Sequence, residues 1–450
     1  MRFDDRRAAG RRLAWHLDFL RGRHAIVLGL TRGGVPLAFE VAQELGAPLD
    51  VLAVRKLGVP WQPELAFGAI GEDGVRVLND DVILRTGLTQ TVRASVEDAE
   101  RAALDEQVLH HRAIRAPVPV TGHTAVIVDD GCATGATAQA ACLAARRRGA
   151  GEVVLAVPVA PMSVVERLRR ITDDLFCLQS VQHLGSIGAW YDDFSQVSDD
   201  DVRRLLEQAT RLAPAPRLTV QPDPARPSRE LPVSVAGVRL AAQLAVPDTA
   251  QAVVVFALAG SSGRNSPRNR YTAATLNRAG LGTLLLDLLT EEEDQERGAV
   301  FDIRLLAHRL HAATLWLRHH VTLPVAYFGA ETGAAAALEA AAVSDSDILA
   351  VVARSGRTDL ASRTALAQVR APVLLIVGGQ DPGMLSVNRL AADWLTGDCG
   401  LAVIPAATHL FTEPGALAAA AELARDWFTG HLATAPALAE VRPLLSARSA

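Results

Sequence analysis

Long hydrophobic runs are missing from this sequence of 450 residues, and no apolar stretch reaches the roughly 20 residues that a membrane-spanning helix needs. The first residues, Met1–Arg12, are rich in Arg and Asp and contain no apolar core typical of signal peptides. The chain also lacks an excess of charge, since its formal net charge is −5, which excludes the basic surface typical of nucleic-acid-binding proteins. We therefore expect a cytoplasmic protein that contacts neither nucleic acid nor a membrane.

Cysteine and lysine are both scarce. The four cysteines are Cys132, Cys142, Cys177 and Cys399, and their spacing predicts neither a metal site nor a disulfide framework. Lys56 is the only lysine among 45 basic residues. Because a lysine ammonium is a compact point charge that arginine does not replace at a phosphate site, Lys56 is a candidate phosphate ligand.

Hydrophobic residues make up 49% of the chain and charged residues 21%, which is typical of a globular protein with sizeable cores. Strand-like apolar runs alternate with helical patterns, and this alternation predicts α/β folds with parallel sheets covered by helices on both faces. A proline-rich stretch over 212–232 predicts a linker. We thus predict an α/β domain over 1–211, a second α/β domain over 233–432 and a tail over 433–450.

One stretch of the first domain, Ala125–Thr137, combines a strand, an acidic pair and a glycine-rich turn. Ala125–Val128 is predicted to be a buried strand, and Asp129 and Asp130 stand where it ends. The following Gly131–Thr137 turn opens a helix, whose N-terminus offers unpaired N–H groups and a positive dipole end to a phosphate. The carboxylates would repel that phosphate, so they suit ribose hydroxyls, a bound Mg²⁺, or both. The alternative is a plain strand–turn–helix junction whose aspartates cap the helix.

At every position this stretch resembles the phosphoribosyl pyrophosphate (PRPP) signature of type I phosphoribosyltransferases. The resemblance implies that Asp129 and Asp130 act on the ribose hydroxyls and hold the metal, Mg²⁺ bound with PRPP. It also implies that the loop binds the 5-phosphate, through Gly131, Cys132, Ala133, Thr134, Gly135, Ala136 and Thr137.

A second glycine-rich turn follows the predicted strand His24–Gly29 and precedes the predicted helix Pro36–Leu45. It resembles the pyrophosphate loop of the same family, which implies that backbone N–H groups and a basic side chain hold the leaving pyrophosphate. The residues concerned are Thr31, Arg32, Gly33 and Gly34, with Arg32 as the catalytic charge. Alone, two glycines at a strand end also suit a purely steric role.

A third predicted strand, Leu49–Val54, ends at Arg55 and Lys56. Because the ends of neighbouring parallel strands lie side by side, we expect both cations within reach of the pyrophosphate; the alternative is a solvated strand end. Farther along, Trp190, Tyr191 and Asp192 are candidates for contacts with the acceptor molecule, or form an aromatic cluster that seals the edge of the domain.

The spacing of strands over 233–430 resembles an α/β-hydrolase of the dienelactone hydrolase type. The fold's nucleophile elbow falls on Gly329–Gly333 and places Glu331 at the nucleophile position, with Asp381 and His409 at the acid and base positions and Ala259–Arg268 as the oxyanion-hole loop. A glutamate has no proton for His409 to remove at pH 7, so serine-type acyl transfer is not available. Glu331 either imitates an aspartate nucleophile or pairs with His409 in a degenerate site.

The expected reaction, implied by the resemblance, is displacement of pyrophosphate from Mg²⁺-bound PRPP by a nitrogenous acceptor. Two alternatives remain open. The first domain is a module that senses PRPP or a nucleotide without catalysis, or the activity is that of a hydrolase in the second domain. A homodimer is a reasonable expectation.

Overall fold

The structure is a computed structural model, and it describes residues 2–114, 116–212, 229–235, 237–260, 263–294, 296 and 298–432. The chain divides into two compact units, Met1–Leu218 and Thr219–Ala450. Of the predicted linker, residues 213–228 lie outside the described residues, and so does the predicted tail. Arg229–Val235 is already a strand, so the end of the predicted linker belongs to the second unit.

The first unit contains eight strands and seven helices within its described residues. Its strands are β1 (Ala25–Leu30), β2 (Leu49–Leu52), β3 (Val54–Val59), β4 (Gln62–Gly71), β5 (Val75–Leu78), β6 (Thr124–Val128), β7 (Glu152–Pro161) and β8 (Asp174–Val181). Its helices are α1 (Arg6–His16), α2 (Val35–Leu45), α3 (Asp80–Thr86), α4 (Gln90–Ile114), α5 (Ala136–Arg147), α6 (Met162–Arg169) and α7 (Asp199–Leu212).

Five of these strands form a parallel sheet in the order β2-β1-β6-β7-β8. Side chains alternate between its faces, because successive residues of a strand point in opposite directions. Within β1, Val27 packs with α1, α2 and α7 on one face, whereas Ile26 and Leu28 pack with α5 on the other. Burial on both faces explains why the strands read as continuous apolar runs, and it confirms the predicted α/β class.

The other three strands form a separate antiparallel sheet, β3-β4-β5, which packs against α4. The parallel strand β2 ends at Leu52, and the Ala53 N–H donates to the Glu72 carboxylate at 2.7 Å instead of continuing the ladder. Arg55 and Lys56 therefore lie within β3. The prediction that they follow the end of a parallel strand is wrong.

The second unit is built on one eight-stranded sheet. Its strands are β9 (Arg229–Val235), β10 (Val238–Ala245), β11 (Val253–Leu258), β12 (Gly282–Asp287), β13 (Val325–Ala330), β14 (Ile348–Arg354), β15 (Val373–Gly378) and β16 (Cys399–Ile404). Its helices are α8 (Pro267–Arg278), α9 (Glu291–Asp294), α10 (Ile303–His320), α11 (Thr332–Ala341), α12 (Arg363–Gln368), α13 (Pro382–Trp394) and α14 (Ala416–Leu432).

These strands follow the order β16-β15-β14-β13-β11-β12-β10-β9, and only the pairs formed by β10 are antiparallel. The sheet is thus doubly wound, as the alternation of strands and helices predicts. Strand β16 lies at the edge of the sheet, and its residues are only partly buried. In the described part of the chain, no helix combines the length and the apolar character that crossing a bilayer requires.

Candidate active site

A cleft of about 400 Å³ opens at the carboxyl ends of β1 and β6, the edge at which ligands bind in open α/β sheets. The residues that line it come from five separate parts of the first unit. The turn after β1 contributes Leu30, Thr31, Arg32 and Gly33, and the segment after β6 contributes Asp129, Asp130 and Thr137. The remaining lining residues are Val54 together with Arg6, Phe194, Gln196 and Val197.

The two predicted loops touch each other directly. A Cβ atom on Gly33 would lie 2.2 Å from Asp130 Oδ2, and one on Gly34 would lie 2.4 Å from the carbonyl oxygen of Val128. Neither distance is compatible with a side chain, so both positions require glycine for this close approach. The resulting contact places the turn after β1 against the acidic pair. The glycines are thus needed to avoid a clash, and by the same contact they bring the predicted pyrophosphate loop to the acidic pair.

The acidic pair lies at the floor of the cleft. Burial, and after it the neighbouring Asp130 carboxylate, raises the pKa of Asp129 well above its usual range. Burial also raises the pKa of Asp130, although the guanidinium of Arg6 opposes that shift. Arg6 Nε donates to Asp130 Oδ2 at 2.9 Å. The carboxylates of Asp129 and Asp130 are therefore neighbours in different environments, because only Asp130 is paired with the Arg6 guanidinium.

The loop after the acidic pair is held from outside the cleft. The N–H of Cys132 donates to the carbonyl of Val159 at 2.9 Å, and Arg167 of α6 donates to the carbonyl of Thr134. Burial raises the pKa of Cys132 well above its usual range, so this thiol stays neutral. Helix α5 then begins after Gly135, which has a φ of 78° and makes no side-chain cap.

Because a glycine precedes α5, the aspartates do not cap this helix, and the alternative of a plain capped junction is wrong. The first N–H groups of a helix have no partner within it. Here they stand at the loop after the acidic pair, with Thr137 in the lining of the cleft. This is the arrangement that suits an anion.

The three predicted cations occupy different positions. Arg32 lines the cleft, and its Nη1 lies 3.4 Å from Asp199 Oδ2 in an exposed ion pair. Arg55 Nε lies 2.8 Å from Glu100 Oε2 of α4. Neither Arg55 nor Lys56 is among the residues that line the cleft. Only Arg32 therefore lies at the predicted place.

The aromatic segment 190–194 supports the cleft from behind. Tyr191 is buried, and its hydroxyl donates to the backbone carbonyl of Asp130 at 2.6 Å. Trp190 donates to the carbonyl of Leu184 at 3.1 Å, and Asp192 lies 3.2 Å from Arg2. None of these three lines the cleft, so this geometry favours the edge-sealing alternative over acceptor contacts. Phe194, which was not predicted, is the aromatic ring that lines it.

The second unit has the backbone of a nucleophile elbow at the predicted place. Glu331 follows β13 with φ 53° and ψ −123°, a strained conformation for a residue with a side chain. A Cβ on Gly333 would lie 2.0 Å from the carbonyl oxygen of Ala257, so the turn requires a glycine there. His409 Nδ1 lies 3.6 Å from Asp381 Oδ2. Ser261 and Ser262 of the predicted oxyanion-hole loop lie outside the described residues.

Comparisons with known proteins agree with this arrangement. The family model for the phosphoribosyl transferase domain matches residues 4–186. A protein of Mycobacterium tuberculosis named "Putative phosphoribosyl transferase" is 51% identical over 434 residues, which is 96% of this chain and 98% of that one. This chain belongs to the phosphoribosyl transferase family. The predicted resemblance of the first unit is therefore confirmed.

Solved structures resemble the second unit of this phosphoribosyl transferase. A dienelactone hydrolase from Anabaena variabilis is 49% identical and covers 45% of this chain and 97% of its own, with a TM-score of 0.43. A protein from Thermus thermophilus is 41% identical and covers 46% of this chain and 99% of its own, with a TM-score of 0.40. The doubly wound sheet and the strand–turn–helix geometry at Glu331 are the features that the predicted α/β-hydrolase interpretation of the second unit requires.

The acidic pair offers the cleft two carboxylates that could contribute to a magnesium site. Within the described ranges of the chain, no three His, Cys, Asp or Glu side chains are grouped so that they hold a metal by themselves. Mg²⁺ is commonly bound by one or two carboxylates and completes its coordination with water and substrate phosphates. Asp129 and Asp130 supply such carboxylates in the lining of the cleft.

Sequence reasoning missed Arg6 and Phe194. Arg6 is one of several arginines in the first turns of the chain, and nothing in the local pattern distinguishes it from Arg7 or Arg11. Arg6 and Asp130 are 124 positions apart in the sequence. Since the contact arises only when α1 packs against α2 and the parallel sheet, no local signal indicates it.

Proposed function

We propose that the first unit binds Mg²⁺-PRPP and transfers its phosphoribosyl group to a nitrogenous acceptor, with release of pyrophosphate. The observation that carries this proposal is the contact between Gly33 and Asp130. The turn after β1, the acidic pair and Thr137 near the N-terminus of α5 all line one cleft of about 400 Å³. PRPP has three parts that match these features: its pyrophosphate suits the turn after β1, its ribose hydroxyls suit the acidic pair, and its 5-phosphate suits the helix N-terminus.

Each part of the cleft then has its own task. The loop Gly131–Thr137 and the N-terminus of α5 bind the 5-phosphate. Asp129 and Asp130 accept hydrogen bonds from the ribose hydroxyls and provide carboxylates to the metal. The backbone of Thr31–Gly34, with Arg32, binds the pyrophosphate, and Arg32 offsets part of the negative charge that grows on this leaving group; a Mg²⁺ held with PRPP by Asp129 and Asp130 would supply further positive charge.

One observation supports the alternative of binding without catalysis. Arg55 is paired with Glu100, and neither Arg55 nor Lys56 lines the cleft. If both cations stay where they are, Arg32 alone among the predicted cations opposes the leaving charge. A protein of this kind binds PRPP and releases no pyrophosphate. The catalytic proposal requires Lys56 or Arg55 to approach the pyrophosphate when PRPP binds.

The experiment is calorimetric titration of the full chain with Mg²⁺-PRPP, followed by a panel of nitrogenous bases and amines monitored for pyrophosphate release. The Asp129→Asn/Asp130→Asn double variant is expected to lose binding while its circular dichroism stays unchanged. The matched control is Asp80→Asn/Asp81→Asn, which removes the same charge from an exposed pair at the start of α3. Binding by the first double variant at the affinity of the unmodified chain would refute the proposal.

For the second unit, we infer that Glu331 prevents acyl transfer, because a carboxylate has no proton for His409 to remove. The other interpretation, a glutamate that imitates an aspartate nucleophile, requires its additional methylene to fit the strained elbow. One assay distinguishes the two interpretations. Turnover of activated esters or epoxides by the unmodified chain would support Glu331 as a nucleophile, and lack of turnover would support a glutamate that prevents acyl transfer.

A further inference from the structure

Arg6 is held more firmly than its position near the chain start suggests. Asp5 caps α1 by accepting a hydrogen bond from the Ala8 N–H at 2.6 Å, so the turn that carries Arg6 is well defined. The Arg6 side chain is 11% exposed. Its Nε donates to Asp130 Oδ2 at 2.9 Å, and its Nη1 donates to the carbonyl of Ser195 at 2.7 Å.

The guanidinium also stacks on an aromatic ring. Arg6 Cζ lies 3.7 Å from the centre of the Phe194 ring. A planar guanidinium can donate in two directions and stack at the same time, which a lysine ammonium cannot do. Arg6 thus connects α1, the acidic pair and the segment 194–195, and it forms part of the wall of the cleft.

This contact makes the two carboxylates unequal. Asp130 is paired with Arg6, whereas Asp129 accepts the backbone N–H of Asp130 at 2.9 Å and has no ion-pair partner within the described residues. A divalent cation that approached the acidic pair would meet one carboxylate already matched by a positive charge. The positive charge of the Arg6 guanidinium would also repel the divalent cation.

We propose that Arg6 is a positioning residue that gives Asp129 and Asp130 different ligands. It keeps Asp130 directed towards the ribose side of the cleft, and it leaves Asp129 as the carboxylate that contacts the divalent cation of Mg²⁺-PRPP. By its charge it also prevents a divalent cation from binding to the pair before PRPP arrives. The assignment rests on the proposed function, but its consequence for free metal does not require PRPP.

The test measures binding of Mn²⁺, a spectroscopic substitute for Mg²⁺, by electron paramagnetic resonance in the absence of PRPP. Arg6→Met is expected to bind Mn²⁺ about tenfold or more tightly than the unmodified chain, because two carboxylates become available without a nearby cation. The matched control is Arg7→Met, which removes the same charge from the next residue of α1, where Arg7 pairs with Glu40 instead. Arg7→Met should bind Mn²⁺ as the unmodified chain does.

Two further variants keep the test decisive. Arg6→Lys preserves the charge, so Mn²⁺ affinity should stay low while Mg²⁺-PRPP affinity falls about tenfold, because the single nitrogen of lysine does not reach Asp130 and the Ser195 carbonyl in the fork geometry of arginine while stacking on Phe194. If circular dichroism shows that Arg6→Met does not fold, Arg6→Gln replaces it as the neutral variant. Adding Asp130→Asn to the neutral variant should abolish the gain in Mn²⁺ binding.

The outcomes separate this proposal from the proposed function. Equal Mn²⁺ affinity in the Arg6 and Arg7 variants would overturn the role of Arg6, whatever the chain does with PRPP. If the unmodified chain does not bind Mg²⁺-PRPP at all, the proposed function fails, and the Mn²⁺ comparison still decides whether Arg6 protects the acidic pair.

Discussion

Replacing Gly33 with alanine places a methyl group between the two loops of the cleft. Its Cβ would lie 2.2 Å from Asp130 Oδ2 and 2.8 Å from Asp130 Cγ. Both atoms belong to a side chain, so the carboxylate can give way while the backbone of the loops stays in place. To restore an ordinary van der Waals separation, the oxygen has to move by about 1 Å.

That movement removes Asp130 Oδ2 from its hydrogen bond with Arg6, which is 2.9 Å long. A hydrogen bond to a charged group contributes about 1.5–3 kcal/mol. If the same carboxylate contacts the ribose, the dissociation constant for Mg²⁺-PRPP should rise about 10- to 150-fold. Loss of the hydrogen bond to Arg6 should also lower the melting temperature, by about 3–12 °C, so the affinity for Mg²⁺-PRPP is the readout that tests the contact between the loops.

The contrast is with Gly34→Ala, whose Cβ would lie 2.4 Å from the carbonyl oxygen of Val128 and 3.0 Å from the Cα atom of Asp129. These are backbone atoms of β6 and of the residue that follows it, and they cannot turn away. Overpacking of this kind costs about 1–3 kcal/mol or more, which lowers the melting temperature of a unit of this size by about 2–12 °C.

The assay pairs calorimetry with Mg²⁺-PRPP and thermal denaturation of the full chain. Gly71→Ala is the control, since its Cβ would meet nothing closer than 3.6 Å. If Gly33→Ala binds Mg²⁺-PRPP within twofold of the unmodified chain, the contact between the loops does not matter for the ligand. The reasoning that combines them into one site is then refuted.

Three further predictions follow from single side chains. Tyr191→Phe removes the donor to the buried carbonyl of Asp130 and should cost about 1–3 kcal/mol, seen as a lower melting temperature with unchanged secondary structure. Burial raises the pKa of Asp129, so the folded state loses stability as the pH rises through that raised pKa. Asp129→Asn should therefore raise the melting temperature on the alkaline side of this titration, and the advantage should shrink as the pH falls and the carboxyl becomes protonated. Glu331→Ser should acquire esterase activity on p-nitrophenyl acetate that His409→Ala then removes, since the elbow and the His409–Asp381 pair are in place; an inactive serine variant would show that the second unit has lost more than its nucleophile.

The local sequence pattern was sufficient to predict each element of the site whose residues are continuous in the chain. The strand, the acidic pair, the glycine turn and the start of α5 follow one another within Ala125–Thr137, so their order can be read directly. The same holds for β1 and its turn, and for the elbow around Glu331. In each case an apolar run followed by glycine predicts a buried strand and a tight turn, because only glycine permits the close backbone approach seen at Gly33 and Gly34.

Patterns failed where an element depends on its neighbours. Arg55 and Lys56 follow an apolar run that looks like one strand, but the chain leaves the parallel sheet at Ala53, where a glutamate 19 residues away accepts its N–H. Strand β16 is an apolar run, Cys399–Ile404, but this run does not show that the strand lies at the edge of its sheet, where its residues stay partly exposed. Contacts with residues distant in the sequence decide where the chain leaves the parallel sheet, at Ala53, and where β16 lies in its sheet.

The order of amino acids alone therefore determined the two α/β folds and the two loops of the cleft, since these depend on side-chain periodicity and on glycines at fixed places. Only the tertiary structure decided which charges surround the ligand. It brought Arg6 to Asp130 across 124 positions and left Arg55 paired with Glu100. An ion pair depends on distance in space, and distance in space is set by how the helices pack on the sheet.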